Sequence, residues 1–290
     1  MRASLRANMS STMTRSISPS TQMCMSLAAR PGTFGTRFQN HLYDALDLDF
    51  IYKAFTTTDL PAAIGGVRAL GIRGCAVSMP FKEACVALVD ELDPSAAVIG
   101  SVNTVVNTGG VLRAYNTDYL AVQQLIAEHG VAPALRLVLR GSGGMARAVA
   151  AALRDAGFRR GTVVSRNEGA GRALAAETGF DWAPDCAAEG AALSADLLIN
   201  VTPIGMAGGP EVGDLAFTPD QIERAQVVFD VVALPAETPL VLAAQQAGKQ
   251  VVTGAEVAVR QALEQFVLYT GVRPSAEQVQ AAAIFARQSG

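Results

Sequence analysis

The chain has few residues of the kinds that build metal centres or disulfide frameworks. Its four cysteines, Cys24, Cys75, Cys85 and Cys186, form no C-x-x-C pair, which argues against a redox dithiol or a zinc knuckle and fits the reduced thiols of a cytoplasmic protein. The two histidines, His41 and His129, lie far apart without ligand-like spacing, so no metal is expected. A formal charge of only −3 excludes a general nucleic-acid binder, which needs a strong basic excess. No run of 18 or more apolar residues occurs, so no membrane-spanning helix is expected. What is abundant is apolar: half of the 290 residues are hydrophobic, enough for one large or two modest domains, each with a core.

Residues 1–22 carry three arginines and no acid, and they are rich in Ser, Thr and Met. They lack the continuous apolar stretch of a secretory signal and can bury little, so disorder is expected; a start at Met9, Met13 or Met23 is the alternative reading. From Met23 the pattern becomes α/β. Strands are expected at Cys24–Ala29, Phe50–Phe55 and Gly74–Ser78, with a helix over Leu60–Ala69 and another from Pro80 to about Val89, where proline suits the first turn. Val102–Val106 and Val111–Ala114, joined by Asn107–Gly110, read as an antiparallel pair. This first block, residues 23–120, is a mixed-sheet α/β domain.

A helix over Asp118–Glu128 leads to a regular alternation in residues 121–254. Strands are expected near 135–139, 162–165, 196–200, 227–232 and 250–253, with a short one at Phe180–Ala183. That alternation is the signature of a doubly wound parallel sheet. Residues 255–290 form two helices, expected to pack back on the first block.

The first strand of that second block opens LVLRGSGGMARAVAAALRDA, Leu137–Ala156. An apolar strand runs into Gly141, Ser142, Gly143 and Gly144; then Met145, Ala146, Val149, Ala150 and Leu153 recur at helical spacing. Glycines allow a tight bend and close approach of a ligand, while the unpaired N–H groups of the first helical turn favour an anion. With Ala146 at the last position, the stretch satisfies the G-x-G-x-x-G/A dinucleotide fingerprint in its required strand–turn–helix context. Arg166 follows the next strand, and no acid stands at residues 164–167. An arginine there pairs with a 2′-phosphate where an acid would hold ribose hydroxyls, which favours NADP over NAD. Arg147, early in the helix, is placed to assist the phosphates.

The first block adds a polar set: Lys82, Asn103, Asn116 and Asp118. Singly each has a bland reading. Asp118 is a first-turn helix charge, Asn103 a strand or turn residue, and Lys82 a solvated lysine. Together, at the ends of elements that border the presumed crevice, they resemble a hydroxyl-binding pocket with a Lys–Asp pair.

Several motifs in order resemble the shikimate/quinate dehydrogenase family. They are Ser78-Met79-Pro80-Phe81-Lys82-Glu83, Gly100-Ser101-Val102-Asn103-Thr104, Asn116-Thr117-Asp118, Gly141 through Ala148, Ile199 through Met206, Asp230 through Pro235, and Gly254 with Gln261. The resemblance covers residues 25 to 272. It implies a two-domain NADP-dependent oxidoreductase that interconverts a cyclic polyhydroxy-carboxylate alcohol and its ketone, as in the shikimate pathway of aromatic amino acid biosynthesis. It places Lys82 and Asp118 on the catalytic pair and Asn103, Asn116 and Gln261 on substrate-hydroxyl ligands. Arg166 falls on the 2′-phosphate arginine, and Thr202, Met206 and Gly254 fall beside the nicotinamide half of the cofactor. The partner is a small molecule, and the protein a monomer or homodimer.

Two departures set the chain apart. The family's early Ser-x-Ser stretch, which holds the substrate carboxylate, aligns with Thr33 and Gly35, and Thr36 or Arg37 is the alternative anion contact. A family tyrosine is replaced by Ala233. The pattern resembles the divergent shikimate dehydrogenase-like branch, so weak activity on shikimate is expected. Quinate, another cyclic or hydroxy-acid alcohol, or an amino-substituted analogue is the alternative substrate. A non-catalytic NADP-binding regulator is the alternative function, disfavoured because a sensor needs no Lys–Asp pair.

Overall fold

The computed structural model describes residues 17–185 and 195–288. Cys186 and most of the amino-terminal stretch expected to be disordered lie outside them. The chain forms β1 (Gln22–Leu27), α1 (Phe34–Ala45), β2 (Phe50–Phe55), α2 (Leu60–Ala69), β3 (Gly74–Val77), β4 (Glu91–Leu92), α3 (Pro94–Ala97), β5 (Thr104–Thr108) and β6 (Val111–Tyr115). These strands make one six-stranded sheet in the order β2-β1-β3-β5-β6-β4. It is mixed: β1 runs parallel to β2 and β3, while β5 is antiparallel to β3 and β6.

After α4 (Thr117–Glu128) come β7 (Leu137–Arg140), α5 (Gly144–Asp155), β8 (Gly161–Ser165), α6 (Glu168–Thr178), β9 (Asp181–Pro184), β10 (Leu197–Asn200), α7 (Pro219–Arg224), β11 (Val227–Asp230), α8 (Pro239–Gln246) and β12 (Gln250–Thr253). This sheet is parallel throughout, ordered β12-β11-β10-β7-β8-β9. Its strand order reverses at β7, so the crevice beyond the carboxyl ends of β7 and β10 is where such a sheet binds its ligand. Three of its six strands, β7, β10 and β11, are buried along their whole length, as a sheet with helices on both faces requires.

The carboxyl-terminal helices α9 (Gly254–Thr270) and α10 (Ala276–Arg287) return to the first sheet. Phe266, Tyr269, Val279 and Ala282 share a core with Phe38, Leu42 and Tyr43 of α1. Arg37 ties the two ends of the chain together: its guanidinium donates to the Phe285 carbonyl and lies over the Phe285 ring.

Two local expectations are corrected. The helix expected from Pro80 to Val89 is a turn, with a cis Met79–Pro80 bond, followed by a single 3-10 segment at Ala84–Leu88. The carbonyl of Lys82, which an α-helix would offer to Val86, instead accepts from the Val102 amide at 3.0 Å, and Val86 turns to Glu83. A tertiary bond thus overrides a helical pattern. In the antiparallel pair the connection is shorter than expected. It is the two-residue turn Gly109-Gly110, with φ of 61° and 90°, the glycine-dependent geometry that matches strand twist.

Gly74 shows how tightly the tail is seated. A Cβ there would lie 2.2 Å from the Tyr269 ring. Gly74→Ala is expected to destabilise by about 1–3 kcal/mol through overpacking. Gly65→Ala on α2, where a Cβ meets nothing within 4 Å, should be neutral or slightly stabilising. Denaturant midpoints of the two variants, compared with the parent, check this.

Candidate active site

A cleft of about 450 Å³ opens between the two sheets. Its walls bring together residues from distant stretches: Lys82, Asp118, Gly144, Met145, Gly254 and Gln261. Lys82 leaves the turn that follows β3, and its backbone is held by the Val102 bond. Asp118 stands in the first turn of α4, where the helix dipole favours a carboxylate. Lys82 Nζ donates to Asp118 Oδ2 at 2.6 Å. The side chains are 22% and 6% exposed, so the pair is partly shielded yet faces the cleft.

Asn116 is placed differently from a free ligand. It caps α4, with Oδ1 accepting from Tyr119 N at 3.1 Å, and its Nδ2 donates to the Ser101 carbonyl at 3.0 Å. Both ends of its amide are engaged in holding the cleft wall. Asn103 is fully buried and, like Asn116, stands behind the residues that line the cleft; its Oδ1 accepts from the Thr117 amide at 2.7 Å, while Nδ2 has no partner among the described residues. Thr33 stands exposed before α1, its side chain making no cap bond, and outside the residues that line the cleft. Arg37 is occupied by Phe285. The early loop therefore adds no side chain to the cleft wall, while Ala233 does line it.

The glycine loop meets the cleft at its other side. Gly141 has φ of +126°, and a Cβ there would lie 2.9 Å from the Val201 carbonyl oxygen, so only glycine suits the bend. Half-buried Ser142 follows. At Gly143, which precedes α5, and at Gly144, which opens it, a Cβ would meet nothing within 4 Å. Their backbone is open to a ligand, beside the N–H groups that begin α5. Ala146 is buried in the core against the sheet. Arg147 reaches over to Glu83 of the first domain, at 3.8 Å.

Further along the crevice, Arg166 at the end of β8 is 64% exposed and makes a long contact of 3.8 Å with Glu211. Asn167, beside it, caps α6 through Ala170 N. Arg140, at the end of β7, is buried and bidentate to Asp185 at 2.9 and 3.0 Å; these bonds hold the Asp185 carboxyl below the usual carboxylate range. Thr202 turns its hydroxyl back to Asn200 at 2.6 Å, and Met206 is 40% exposed on the loop after β10. Asn200 and Thr238 in turn bind the buried Asp230, whose carboxyl is pushed up by desolvation against those bonds. Gly254 allows the start of α9 to touch the end of β11: a Cβ would lie 2.3 Å from the Val231 carbonyl oxygen.

This geometry fits a dinucleotide. It offers an anion seat at Gly143–Met145, a loose arginine where a 2′-phosphate would fall, and no acid at the end of β8. Ser78, Ser101 and Glu83 also line the cleft; their place was readable only as neighbours of the lysine and asparagine motifs. Among the described residues no group of three or more His, Cys, Asp or Glu side chains could hold a metal ion, and no helix is long and apolar enough to cross a membrane.

Comparisons with known proteins converge. The shikimate dehydrogenase substrate binding domain matches residues 34–105. A shikimate dehydrogenase-like protein of Haemophilus influenzae is 54% identical over 271 residues, 93% of this chain and 98% of that one. A solved shikimate 5-dehydrogenase-like structure superposes with a TM-score of 0.91 at 53% identity, covering 94% of this chain and 100% of the other. The Thermus thermophilus shikimate 5-dehydrogenase, solved with NADP(H) and shikimate, is 29% identical with a TM-score of 0.80, over 91% of this chain and 99% of that one.

Proposed function

The chain belongs to the shikimate dehydrogenase family, close to its shikimate dehydrogenase-like branch, and on that premise we propose that it is an NADP-dependent dehydrogenase interconverting a cyclic polyhydroxy-carboxylate alcohol and its ketone. The observation that carries this reading is the 2.6 Å Lys82–Asp118 pair in the same cleft as the glycine loop. A binding protein without chemistry has no use for an acid–base lysine at that spot.

The cofactor, when bound, supplies or accepts the hydride. The protein does the rest. Gly143, Gly144 and Met145 hold the pyrophosphate by backbone N–H groups, and Arg166 holds the 2′-phosphate. Lys82 gives a proton to the carbonyl oxygen during reduction and takes the hydroxyl proton during oxidation. Asp118 fixes the position of that amine. Gln261 and the buried amide of Asn103 orient ring hydroxyls, restricting the substrate to a reactive pose.

This chain departs from the family pattern at Thr33 and Gly35, in the stretch that holds the substrate carboxylate in the family, and at Ala233, which lines the cleft. We therefore expect shikimate to be a poorer substrate than a relative that makes less use of that stretch. A cofactor-reduction assay over shikimate, quinate and amino-substituted analogues tests the function. Turnover of at least one, with NADP preferred to NAD, is the expected result. Tight NADP binding with no turnover of any would instead identify a non-catalytic NADP-binding regulator.

A further inference from the structure

Asn103 presents one side of its amide unambiguously. The Thr117 backbone N–H can only donate, and it lies 2.7 Å from Oδ1; the atom facing it is oxygen, and Nδ2 must face the other way. The hydroxyl of Thr104 donates to the same oxygen at 2.9 Å, and that of Thr117 at 3.1 Å. Nδ2 remains buried and without a partner among the described residues, a donor left for something else to accept.

What makes the Thr104 hydroxyl point that way comes from the far end of the chain. Gln265 on α9 is 7% exposed. Its Nε2 donates to Thr104 Oγ1 at 3.2 Å and lies 3.4 Å from the Asn103 carbonyl oxygen. An amide NH₂ cannot accept, so Thr104 receives this bond and turns its own proton to Asn103 Oδ1 at 2.9 Å, the shorter of its two contacts, Thr117 Oγ1 lying 3.3 Å away. Gln265 is also one helical turn beyond Gln261, on the same face of α9, and Gln261 lines the cleft.

We propose that Gln265 is a positioning residue: it makes Thr104 a donor to Asn103 Oδ1, beside the Thr117 bonds that fix which way the amide faces, and so steadies the amide whose Nδ2 the functional reading offers to substrate. Its kinetic consequence rests on the functional reading above, in which Asn103 orients a substrate hydroxyl; its structural consequence does not. Gln265→Glu is the discriminating variant. It keeps the size of the side chain but accepts where glutamine donates, so the Thr104 hydroxyl turns toward position 265 and leaves Asn103.

The first measurement is the Asn103 side-chain amide signal in protein labelled with ¹⁵N-asparagine, assigned by its loss in Asn103→Asp. Gln265→Glu should shift that signal and speed its exchange with solvent. The second is kinetics with the best alcohol of the panel. KM should rise about tenfold, the effect of losing one oriented hydrogen bond, with kcat and NADP affinity changing less than about twofold. Lowering the pH until the introduced acid is protonated, and able to donate again, should restore much of the KM. If Gln265→Glu does not fold, Gln265→Met, which removes the donor but keeps the bulk, takes the same two measurements without the pH arm. An unchanged Asn103 signal in a folded variant overturns the proposal, as does a loss shared equally by KM, kcat and NADP affinity. Absence of alcohol turnover in the parent protein would overturn the functional reading instead, and the amide signal would still decide the role of Gln265.

Discussion

Replacing Lys82 with methionine is expected to lower turnover by about 10²–10⁴-fold, the usual worth of a positioned acid–base group, while NADP affinity stays within about twofold of the parent. Lys82 bonds Asp118 and lines the cleft wall, whereas the backbone proposed to receive the cofactor phosphates belongs to α5. The two functions are therefore separable. One complication has a defined sign: Asp118 is only 6% exposed, and without the ammonium it becomes a buried charge lacking its partner, which costs stability. The double variant Lys82→Met, Asp118→Asn should recover that stability without recovering activity. Thermal melts of both variants, alongside steady-state kinetics and NADP titration, separate the chemical effect from the folding effect. Full activity in a folded Lys82→Met protein would remove lysine from the mechanism.

Arg166→Ala is the second large effect. NADP affinity is expected to fall about 10–100-fold, the worth of a charge-assisted bond to phosphate, while NAD affinity, which lacks that phosphate, changes less than about twofold. In this structure the guanidinium is mostly exposed and its contact with Glu211 is long, 3.8 Å. Such surface pairs contribute little, so the side chain is free to turn to an anion. Calorimetric titration with both cofactors is decisive. Equal losses for NADP and NAD would mean that Arg166 supports the loop rather than the phosphate. The effect should also shrink at high salt, because the interaction is between exposed charges.

Legibility from sequence followed the range of the interaction. The parallel sheet and the glycine loop were readable because strand, turn and helix are encoded within about 20 consecutive residues. The Gly141 bend and the open backbone at Gly143 and Gly144 follow from residue type alone. The expected helix at Pro80 was not formed, since its deciding bond, from Val102 to the Lys82 carbonyl, joins residues that no local pattern connects. The early loop gave three anion-contact candidates, Thr33, Thr36 and Arg37, and the structure commits Arg37 to Phe285. Asn116, just before the expected helix, is a residue type that caps helices, but nothing near it announced that its Nδ2 would reach Ser101.

By itself, then, the sequence determined the alternation of strands and helices, the glycine turn and the inventory of chemistry-bearing side chains, because each depends on residue type, backbone preference and periodicity over a few turns. The meeting of Lys82 with Asp118 across 36 positions was readable from the grouped polar motifs and their family resemblance, whereas tertiary structure alone decided that a glutamine 161 residues from Thr104 would bond to it. Hydrogen bonds form wherever folding brings donor to acceptor, and burial, not separation along the chain, sets how strongly each is held.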